Sequence, residues 1–261
     1  MVDLVLLFLL AHQDDELMVS PIIADAKRKA ETVAIVYLTD GGGGAASPAT
    51  RNDETRRALT ALGVHVASEV FFMGEREGVA DGILYRHMGA AHNALKTLTD
   101  VLPPVSRIYT HAWEGGNPDH DAAYVLALGA AQHLGISDEV FQVPFYRATR
   151  RGLLPFNVFA PLDANGPVMV YPASRLKRLK MLTLIRYFPS QVEAFVRLGP
   201  FMMLKSLWQP GLLVQRATWS RIRERPMTEP LRYERHGHDT FDRIQPYLQT
   251  YAGIVMGQPS A

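Results

Sequence analysis

Residues 4–16 read Leu-Val-Leu-Leu-Phe-Leu-Leu-Ala-His-Gln-Asp-Asp-Glu. The apolar run Leu4–Ala11 has the length of a strand and no polar interruption, which is typical of a central parallel strand covered on both faces. It is too short to cross a bilayer, and it lacks the basic segment that opens a signal peptide. Polar residues follow it directly. Because ligands bind at the carboxyl ends of strands in open parallel sheets, we expect this polar cluster to lie at a functional edge.

Strand-like and helix-like segments alternate through the first half of the chain. The predicted helices begin at recognisable signals, such as Ser20-Pro21 and Asn117-Pro118, and one of them ends at Gly63. Alternation with short connections predicts an α/β fold, a Rossmann-like open, mostly parallel sheet with helices on both faces. The predicted strands are 4–11, 33–39, 66–73, 107–111 and 140–145, and the predicted helices are 21–30, 50–63, 89–101 and 118–135.

The alternation stops after about residue 150. Residues 151–173 contain four prolines, residues 174–188 have the pattern of a basic amphipathic helix, and residues 195–214 are apolar but interrupted by Pro200 and Pro210. We therefore expect residues 1–150 to form the core. Residues 151–261 are expected to be a C-terminal extension that packs on this core, with a substrate lid as one candidate role.

The composition limits the classes of partner and site. There are 27 Lys and Arg residues against 26 Asp and Glu residues, a net charge of +1, and no cysteine. Proteins that neutralise many phosphates carry a clear basic excess, so we expect no nucleic-acid partner. Without cysteine, any metal must be held by histidine or carboxylate side chains. The absence of a targeting or spanning segment in the sequence favours a cytoplasmic location.

Two polar clusters follow predicted strands. In the first, His12 and Asp15 offer a nitrogen and an oxygen ligand for zinc, and Asp14 between them is available as a base. The second cluster ends in Asp119 and His120, in the first turn of a predicted helix, where the helix dipole favours the neutral imidazole that binds metals. Each cluster also fits a plain polar turn or a helix cap. Two such clusters at one edge of a sheet favour a functional site.

The motifs resemble those of the PIG-L (LmbE-like) family of metal-dependent N-acetylglucosaminyl de-N-acetylases. The family signature Ala-His-Pro-Asp-Asp-Glu appears here as Ala-His-Gln-Asp-Asp-Glu at residues 11–16, and His-Pro-Asp-His appears as Asn-Pro-Asp-His at residues 117–120. Weaker matches cover residues 38–41, 51–64 and 177–191. Beyond about Gln191 there is no match.

The resemblance implies a role for each matching residue. It makes His12, Asp15 and His120 the ligands of Zn²⁺, with Fe²⁺ or another divalent metal as the alternative. Asp14 is then the general base, and Asp119 is a catalytic partner that sets the charge beside the metal. The implied substrate is an acetylated amino sugar or glycoconjugate that loses its N-acetyl group to water.

Two departures from the signature bear on activity. Gln13 replaces a proline without removing a functional group. Asn117 replaces the histidine that the family uses near the developing oxyanion, so this catalytic position can donate a hydrogen bond but cannot supply a proton. We expect reduced activity, unless His111, His236 or His238 substitutes. A third interpretation is that the asparagine was introduced to trap a substrate.

The sequence leaves open further residues and functions. Arg51 and Asp81 are candidate substrate-binding residues. A surface arginine is nearly as well supported for Arg51, and a plain turn is the favoured interpretation of Asp81. Gly41, Gly43 and Ala46 formally match Gly-x-Gly-x-x-Ala, which keeps a nucleotide-binding Rossmann protein as an alternative, although a loop over the site is favoured because the pattern follows the second strand. An amidase acting on a sugar–thiol conjugate, or a catalytically weak sugar-binding relative, would also carry these motifs.

The basic helix and the apolar segment after it allow two kinds of surface contact. Contact with an anionic membrane is the less favoured interpretation, and a solvated helix face over a hydrophobic core is the favoured one. Phe201, Met202 and Trp208 could equally form a self-association patch. The sequence sets no oligomeric state.

Overall fold

A computed structural model describes residues 4–44, 46–149 and 156–257. Within these residues, seven strands form one sheet in the order β3-β2-β1-β4-β5-β9-β8, and two further strands form a hairpin. The strands are β1 (Val5–Leu10), β2 (Thr32–Tyr37), β3 (Val70–Phe72), β4 (Val105–His111), β5 (Val140–Val143), β6 (Tyr146–Ala148), β7 (Phe156–Val158), β8 (Val168–Tyr171) and β9 (Leu212–Arg216).

Strand β1 lies at the centre of the parallel part of the sheet. Leu7 aligns with Ala34 of β2 on one side and with Ile108 of β4 on the other, both in parallel register. The strand is buried on both faces, as its apolar run predicts. Strands β3 and β5 extend the parallel sheet outward. The predicted Rossmann-like, mostly parallel α/β fold is confirmed.

Helices cover both faces of the sheet. The helices are α1 (Glu16–Arg28), α2 (Pro48–Ala61), α3 (Val66–Glu69), α4 (Met73–Glu77), α5 (Met88–Thr99), α6 (Pro118–Leu134), α7 (Arg175–Leu182), α8 (Val192–Trp208), α9 (Arg232–Arg235) and α10 (Phe241–Val255). Alternate residues of β1 belong to different cores, since successive side chains of a strand point to opposite faces. Leu7 belongs to the core that includes residues of α5, α6 and α10, and Phe8 belongs to the core that includes residues of α1, α2, α7 and α8.

Helix α1 begins earlier than predicted. It starts at Glu16 and contains Pro21, which was expected at its first position. A proline inside a helix leaves the carbonyl four residues before it without a donor. Here that carbonyl belongs to Leu17, and the hydroxyl of Ser20 donates to it at 2.8 Å. Ser20 therefore supports the helix from within and does not cap it.

Two more predicted boundaries were also wrong. The strand expected at 66–73 is divided, because the carboxylate of Glu69 accepts from the backbone N–H of His65 at 2.7 Å and closes a helical turn before β3. Helix α2 begins at Pro48 instead of residue 50, since the hydroxyl of Ser47 caps it by accepting from the N–H of Thr50 at 3.2 Å.

The second half of the chain contributes to the same sheet. Strand β9 pairs antiparallel with β5 through Gln142 and Gln215, and β8 pairs with β9. Helix α10 packs on α5 and α6, and α8 continues through Pro200, where a break was expected. The predicted division at residue 150 falls outside the described residues. No described helix is both long enough and apolar enough to span a bilayer.

Candidate metal centre and active site

The site lies where β1 and β4 end side by side. The turn after β1 carries His12, Asp14 and Asp15, and the start of α6 carries Asp119 and His120. These are the two clusters that the sequence places at one edge, and the structure brings them together. Parallel pairing of β1 with β4 is the cause, because it aligns the carboxyl ends of the two strands.

His12, Asp15 and His120 form a group that could hold a metal. Their ligand atoms lie within 4.8 Å of one another. The distance from Asp15 Oδ2 to His12 Nδ1 is 3.5 Å, and that from Asp15 Oδ1 to His120 Nε2 is also 3.5 Å. Both ring nitrogens of His120 lack a hydrogen-bond partner among the described residues, although the residue is only 1% exposed. Buried polar atoms are normally satisfied, so this donor set fits a bound cation.

Electrostatics keep two of these residues in metal-binding forms. Burial and the nearby His111 lower the pKa of His120 to about 3, so its imidazole is neutral near pH 7. Burial alone would raise the pKa of Asp15, but the contacts with His111 and His12 hold it well below its usual range. An ionised carboxylate and a neutral imidazole are the forms that coordinate zinc.

A second acidic pair faces the other nitrogen of His12. Its Nε2 lies 3.1 Å from Asp119 Oδ2 and 3.2 Å from Asp81 Oδ1. Burial would lower the pKa of His12, but Asp81, Asp119 and Asp15 raise it well above its usual value. Asp119 also accepts from the backbone N–H groups of Gly82 and Leu84. Its oxygens are therefore satisfied, and its contact turns Nδ1 of His12 towards Asp15, as carboxylates orient metal-binding histidines.

Asp14 has a strained backbone and an elevated pKa. Its φ of 111° is unusual for a residue with a side chain, and its N–H donates to Oε2 of Glu16 at 2.9 Å. Arg51 donates to the carbonyl of Gln13, and its Nη2 lies 3.5 Å from Asp14 Oδ1. Burial raises the pKa of Asp14 to about 6 even though Arg51 opposes the shift. Arg51 is buried here, so the surface interpretation of this residue was wrong.

Asn117 serves the helix and the cavity together. Its Oδ1 accepts from the N–H of Asp119 at 2.8 Å, which caps α6, and the residue also lines the site cavity. The cavity has a volume of about 180 Å³. The cavity is lined by His12, Asp14, Asp15, Met18, Arg51, Asp81, Asn117, Tyr146, Gln191, Ala194, Phe195, Leu198 and Arg232.

The three histidines considered as substitutes for a histidine at 117 do not line this cavity. His111 lies beside the metal group, with its ring stacked on that of His120 at 3.8 Å between centroids, but its Nε2 accepts from the N–H of Ala11 at 2.9 Å. His236 and His238 are exposed in the segment after α9. The hypothesis that one of them substitutes for a histidine at position 117 stays a prediction, and none of the three lines the cavity.

Tyr146 and Arg232 are cavity residues that sequence reasoning missed. The Arg232 guanidinium carbon lies 4.8 Å from the centroid of the Tyr146 ring, and Nη1 donates to the carbonyl of Gly116 at 3.3 Å. A Cβ at Gly116 would lie 2.0 Å from the carbonyl oxygen of Tyr146. The Gly115-Gly116 pair was thus the one sequence signal of a close backbone approach, since glycine permits it.

The glycine loop after β2, residues 41–44, lies beside the site, and it contacts carboxylates of the protein itself. Asp40 Oδ1 accepts from the N–H groups of Gly42 and Asp81 at 2.9 and 3.0 Å. A Cβ at Gly43 would lie 2.8 Å from the Asp81 carboxyl group. A pyrophosphate would be repelled by these acids and would find the two amides already bonded. The loop geometry therefore favours a wall of the site over a nucleotide cradle.

The comparisons with known proteins agree with the motifs. Residues 7–131 match the family model described as PIG-L: GlcNAc-PI de-N-acetylase. This segment makes up just under half of the chain, and over these residues the chain is similar to the PIG-L family. It contains both motif clusters and ends within α6. No curated protein matches the chain in sequence.

Solved structures with the same fold are distant in sequence. The zinc-inhibited form of teicoplanin deacetylase is 15% identical, with a TM-score of 0.57 over 81% of this chain and 97% of that one. The deacetylase of the A40926 pseudoaglycone is 15% identical, with a TM-score of 0.56 over 84% and 99%. The N,N′-diacetylchitobiose deacetylase from Pyrococcus horikoshii is 16% identical, with a TM-score of 0.56 over 87% and 88%. The likeness in fold to these deacetylases thus extends beyond the segment that the family model matches.

Proposed function

We propose that this protein is a metal-dependent de-N-acetylase that hydrolyses the N-acetyl group of an N-acetylglucosamine-type sugar or glycoconjugate. The observation that carries the proposal is the pair of unpartnered nitrogens of buried His120, next to Asp15 and in the same site as Asp14. The match to the PIG-L family model supports it, and so do structural neighbours that are deacetylases of teicoplanin and of N,N′-diacetylchitobiose.

His12, Asp15 and His120 would hold the metal, zinc or ferrous iron. When bound, such a metal supplies a Lewis acid that polarises a carbonyl and brings the pKa of a coordinated water to about 7. Asp119 contributes by fixing the ring of His12, whose Nε2 it contacts at 3.1 Å. Its role in catalysis is to position a ligand and to set the local negative charge.

Asp14 would take the proton of the attacking water. Its carboxyl group lines the cavity. A pKa of about 6 leaves Asp14 ionised at neutral pH, and it is close enough to the operating pH for the carboxylate to accept and return a proton. The contact with Arg51 and the backbone bond to Glu16 hold it in one position. Because no histidine occupies position 117, we assign to Asp14 the return of that proton to the leaving amine as well.

The remaining cavity residues would stabilise charge and bind the sugar. The amide Nδ2 of Asn117 donates to no described residue, so it is available to the oxygen that gains negative charge as the acetamide carbonyl is attacked. Asp81 presents a carboxylate for sugar hydroxyl groups, and Arg232 presents a guanidinium over Tyr146. Arg51 donates to the carbonyl of Gln13, next to Asp14, and also lines the cavity. It would therefore either donate further hydrogen bonds to the substrate or hold the turn that carries Asp14.

The test is release of acetate from a panel of N-acetylated sugars by the zinc-loaded protein. We expect the wild type and the variant His133→Ala, in which an exposed histidine paired with Asp100 is changed, to release acetate at equal rates. His120→Ala should release none above background, and Asp14→Asn should release acetate about 10²- to 10⁴-fold more slowly. Asp53→Asn, a change of an exposed acid on α2, is the control for Asp14→Asn.

Different outcomes would select a different function. Cleavage of a sugar–thiol conjugate without activity on N-acetyl sugars would identify the amidase. Binding of metal and sugar without acetate release would identify a catalytically silent relative, to which Asn117 points. Stabilisation by a dinucleotide and not by zinc would contradict the hydrolase proposal.

A further inference from the structure

Helix α8 has an apolar face that the protein does not cover. Val196 is 69% exposed and Trp208 is 79% exposed, and the residues between them at the same helical spacing are exposed as well. Positions that differ by three, four or seven lie on one side of a helix. The exposed stripe consists of Val192, Val196, Pro200, Met203, Leu204 and Trp208.

The stripe is separate from the buried face of the same helix. Phe195 and Met202 point inward to the core shared with α1 and α7, and Ala194 and Leu198 border the site cavity. A helix with one apolar face packs it inside, so a second apolar face along about four turns has no role in this fold. Exposed apolar patches of this kind mark contact surfaces.

The net positive charge of residues 174–208 indicates an anionic partner. Residues 174–208 carry seven basic residues and one acidic residue, a net charge of +6, whereas the whole chain carries +1. Some of these cations are internal, because Arg178 is buried and Lys177 pairs with Asp25. Arg175, Lys180 and Arg186 remain exposed beside the stripe-bearing helix, on which α7 packs.

We propose that α7 and α8 dock on an anionic lipid bilayer, with the α8 stripe inserted at the interface and the basic residues at the headgroups. Apolar side chains that include a tryptophan, flanked by lysine and arginine, are the composition of interfacial helices. A second copy of the chain is the weaker candidate, since a two-fold interface would set this positive surface against itself. Because α8 also borders the cavity, docking places the site next to the bilayer.

The test is sedimentation with vesicles of 70% phosphatidylcholine and 30% phosphatidylglycerol, against vesicles of phosphatidylcholine alone. We expect binding to the anionic vesicles and a severalfold loss at 0.5 M NaCl, because salt screens the basic residues. Val196→Ser and Trp208→Ala should each reduce the bound fraction severalfold. Ile254→Ser changes a residue of matched exposure, 68%, on α10 and should bind like the wild type. Circular dichroism confirms that each variant is folded.

A second pair of variants tests the contribution of the basic residues. Lys180→Glu should weaken binding, whereas Lys96→Glu, a change of an exposed lysine on α5 at the other face of the sheet, should not. His120→Ala should bind vesicles normally, which separates this proposal from the proposed activity. Absence of sedimentation, or sedimentation unaffected by the α8 variants, would overturn it. A dimer in analytical ultracentrifugation that Trp208→Ala abolishes would show instead that a second copy covers the stripe.

Discussion

The side-chain oxygen of Asn117 accepts a hydrogen bond from the backbone N–H of Asp119 at 2.8 Å. One residue therefore caps the helix that carries His120 and also faces the reaction cavity. A histidine at this position, as in the family signature, would have to meet both demands, and histidine is a weaker cap than asparagine. The asparagine favours the helix start, and it leaves the cavity without a proton donor at this position.

The first prediction concerns the presence of asparagine instead of histidine at position 117. We expect Asn117→His to raise kcat on a confirmed substrate by about 10²-fold, the lower end of what a positioned acid contributes, and to cost about 1 kcal/mol of stability through the weaker cap. Steady-state acetate release and thermal unfolding measure the two effects. Asn117→Asp is the companion variant, because it keeps the cap and removes the amide donor, so it should be stable and slow. Unchanged turnover in Asn117→His would show that Asn117 does not limit the reaction.

The second prediction concerns the base. Asp14→Asn should lower kcat by about 10²- to 10⁴-fold, because the amide cannot accept the proton of water. Bound metal should stay at the wild-type level, since Asp15 and the two histidines remain. Elemental analysis and acetate release on one preparation measure both. Equal losses of metal and activity would mean that Asp14 acts through the metal site and not as the base.

The third prediction concerns Glu16, which is fully buried and bonds the N–H of Asp14. Glu16→Ala removes the acceptor that holds a strained backbone, so we expect kcat to fall more than KM changes. Glu16→Gln keeps an acceptor oxygen and should restore most of kcat. If the alanine and glutamine variants are equally impaired, Glu16 does not position Asp14 through this bond.

The fourth prediction concerns the pH dependence of stability. Burial raises the pKa of Glu114 to about 8, although the backbone N–H groups of Phe145 and Tyr146 donate to its carboxyl group. The folded state therefore keeps a proton that the unfolded state, with its ordinary pKa, releases. The stability from this residue is complete below about pH 4.5 and is lost as the pH rises towards 8.

Thermal unfolding of metal-free protein at pH 5 and pH 8.5 measures this loss. We expect Glu114→Gln to lose fewer degrees of Tm between the two pH values than the wild type, by about 2–4 °C for each kcal/mol removed. Exposed Glu193→Gln is the control and should follow the wild type. An identical pH dependence in Glu114→Gln and wild type would contradict the raised pKa.

The sequence predicts the parts of the site that depend on strand order. His12, Asp15 and His120 meet because β1 and β4 are adjacent parallel strands, and a buried apolar run followed by polar residues is enough to indicate that edge. Tyr146 and Arg232 could not be predicted in the same way. They reach the cavity through packing between segments that are distant in sequence and share no motif, with Gly116 as the only local sign.

The predicted start of helix α1 was wrong because a side-chain hydrogen bond takes the place of a backbone hydrogen bond inside the helix. Ser20 and Pro21 have the composition of a helix start, yet the Ser20 hydroxyl satisfies the carbonyl that Pro21 leaves free, and the helix continues. The sequence indicated a surface patch in α8 but did not separate its exposed residues from its buried ones. Trp208 is 79% exposed, whereas Met202 is fully buried, because residues of the two faces alternate along one helix.

The most direct measurement is the divalent metal bound to the purified protein, by elemental analysis of the wild type, His120→Ala and the surface control His133→Ala. We expect near-stoichiometric zinc or iron in the wild type and in His133→Ala, and its loss in His120→Ala, because the buried Nε2 of His120 faces Asp15 at 3.5 Å and, within the part of the chain that the structure describes, has no hydrogen-bond partner without a cation. No metal in the wild type, even after zinc is offered, or equal metal in wild type and His120→Ala, would contradict the metal-dependent hydrolase proposed for this site.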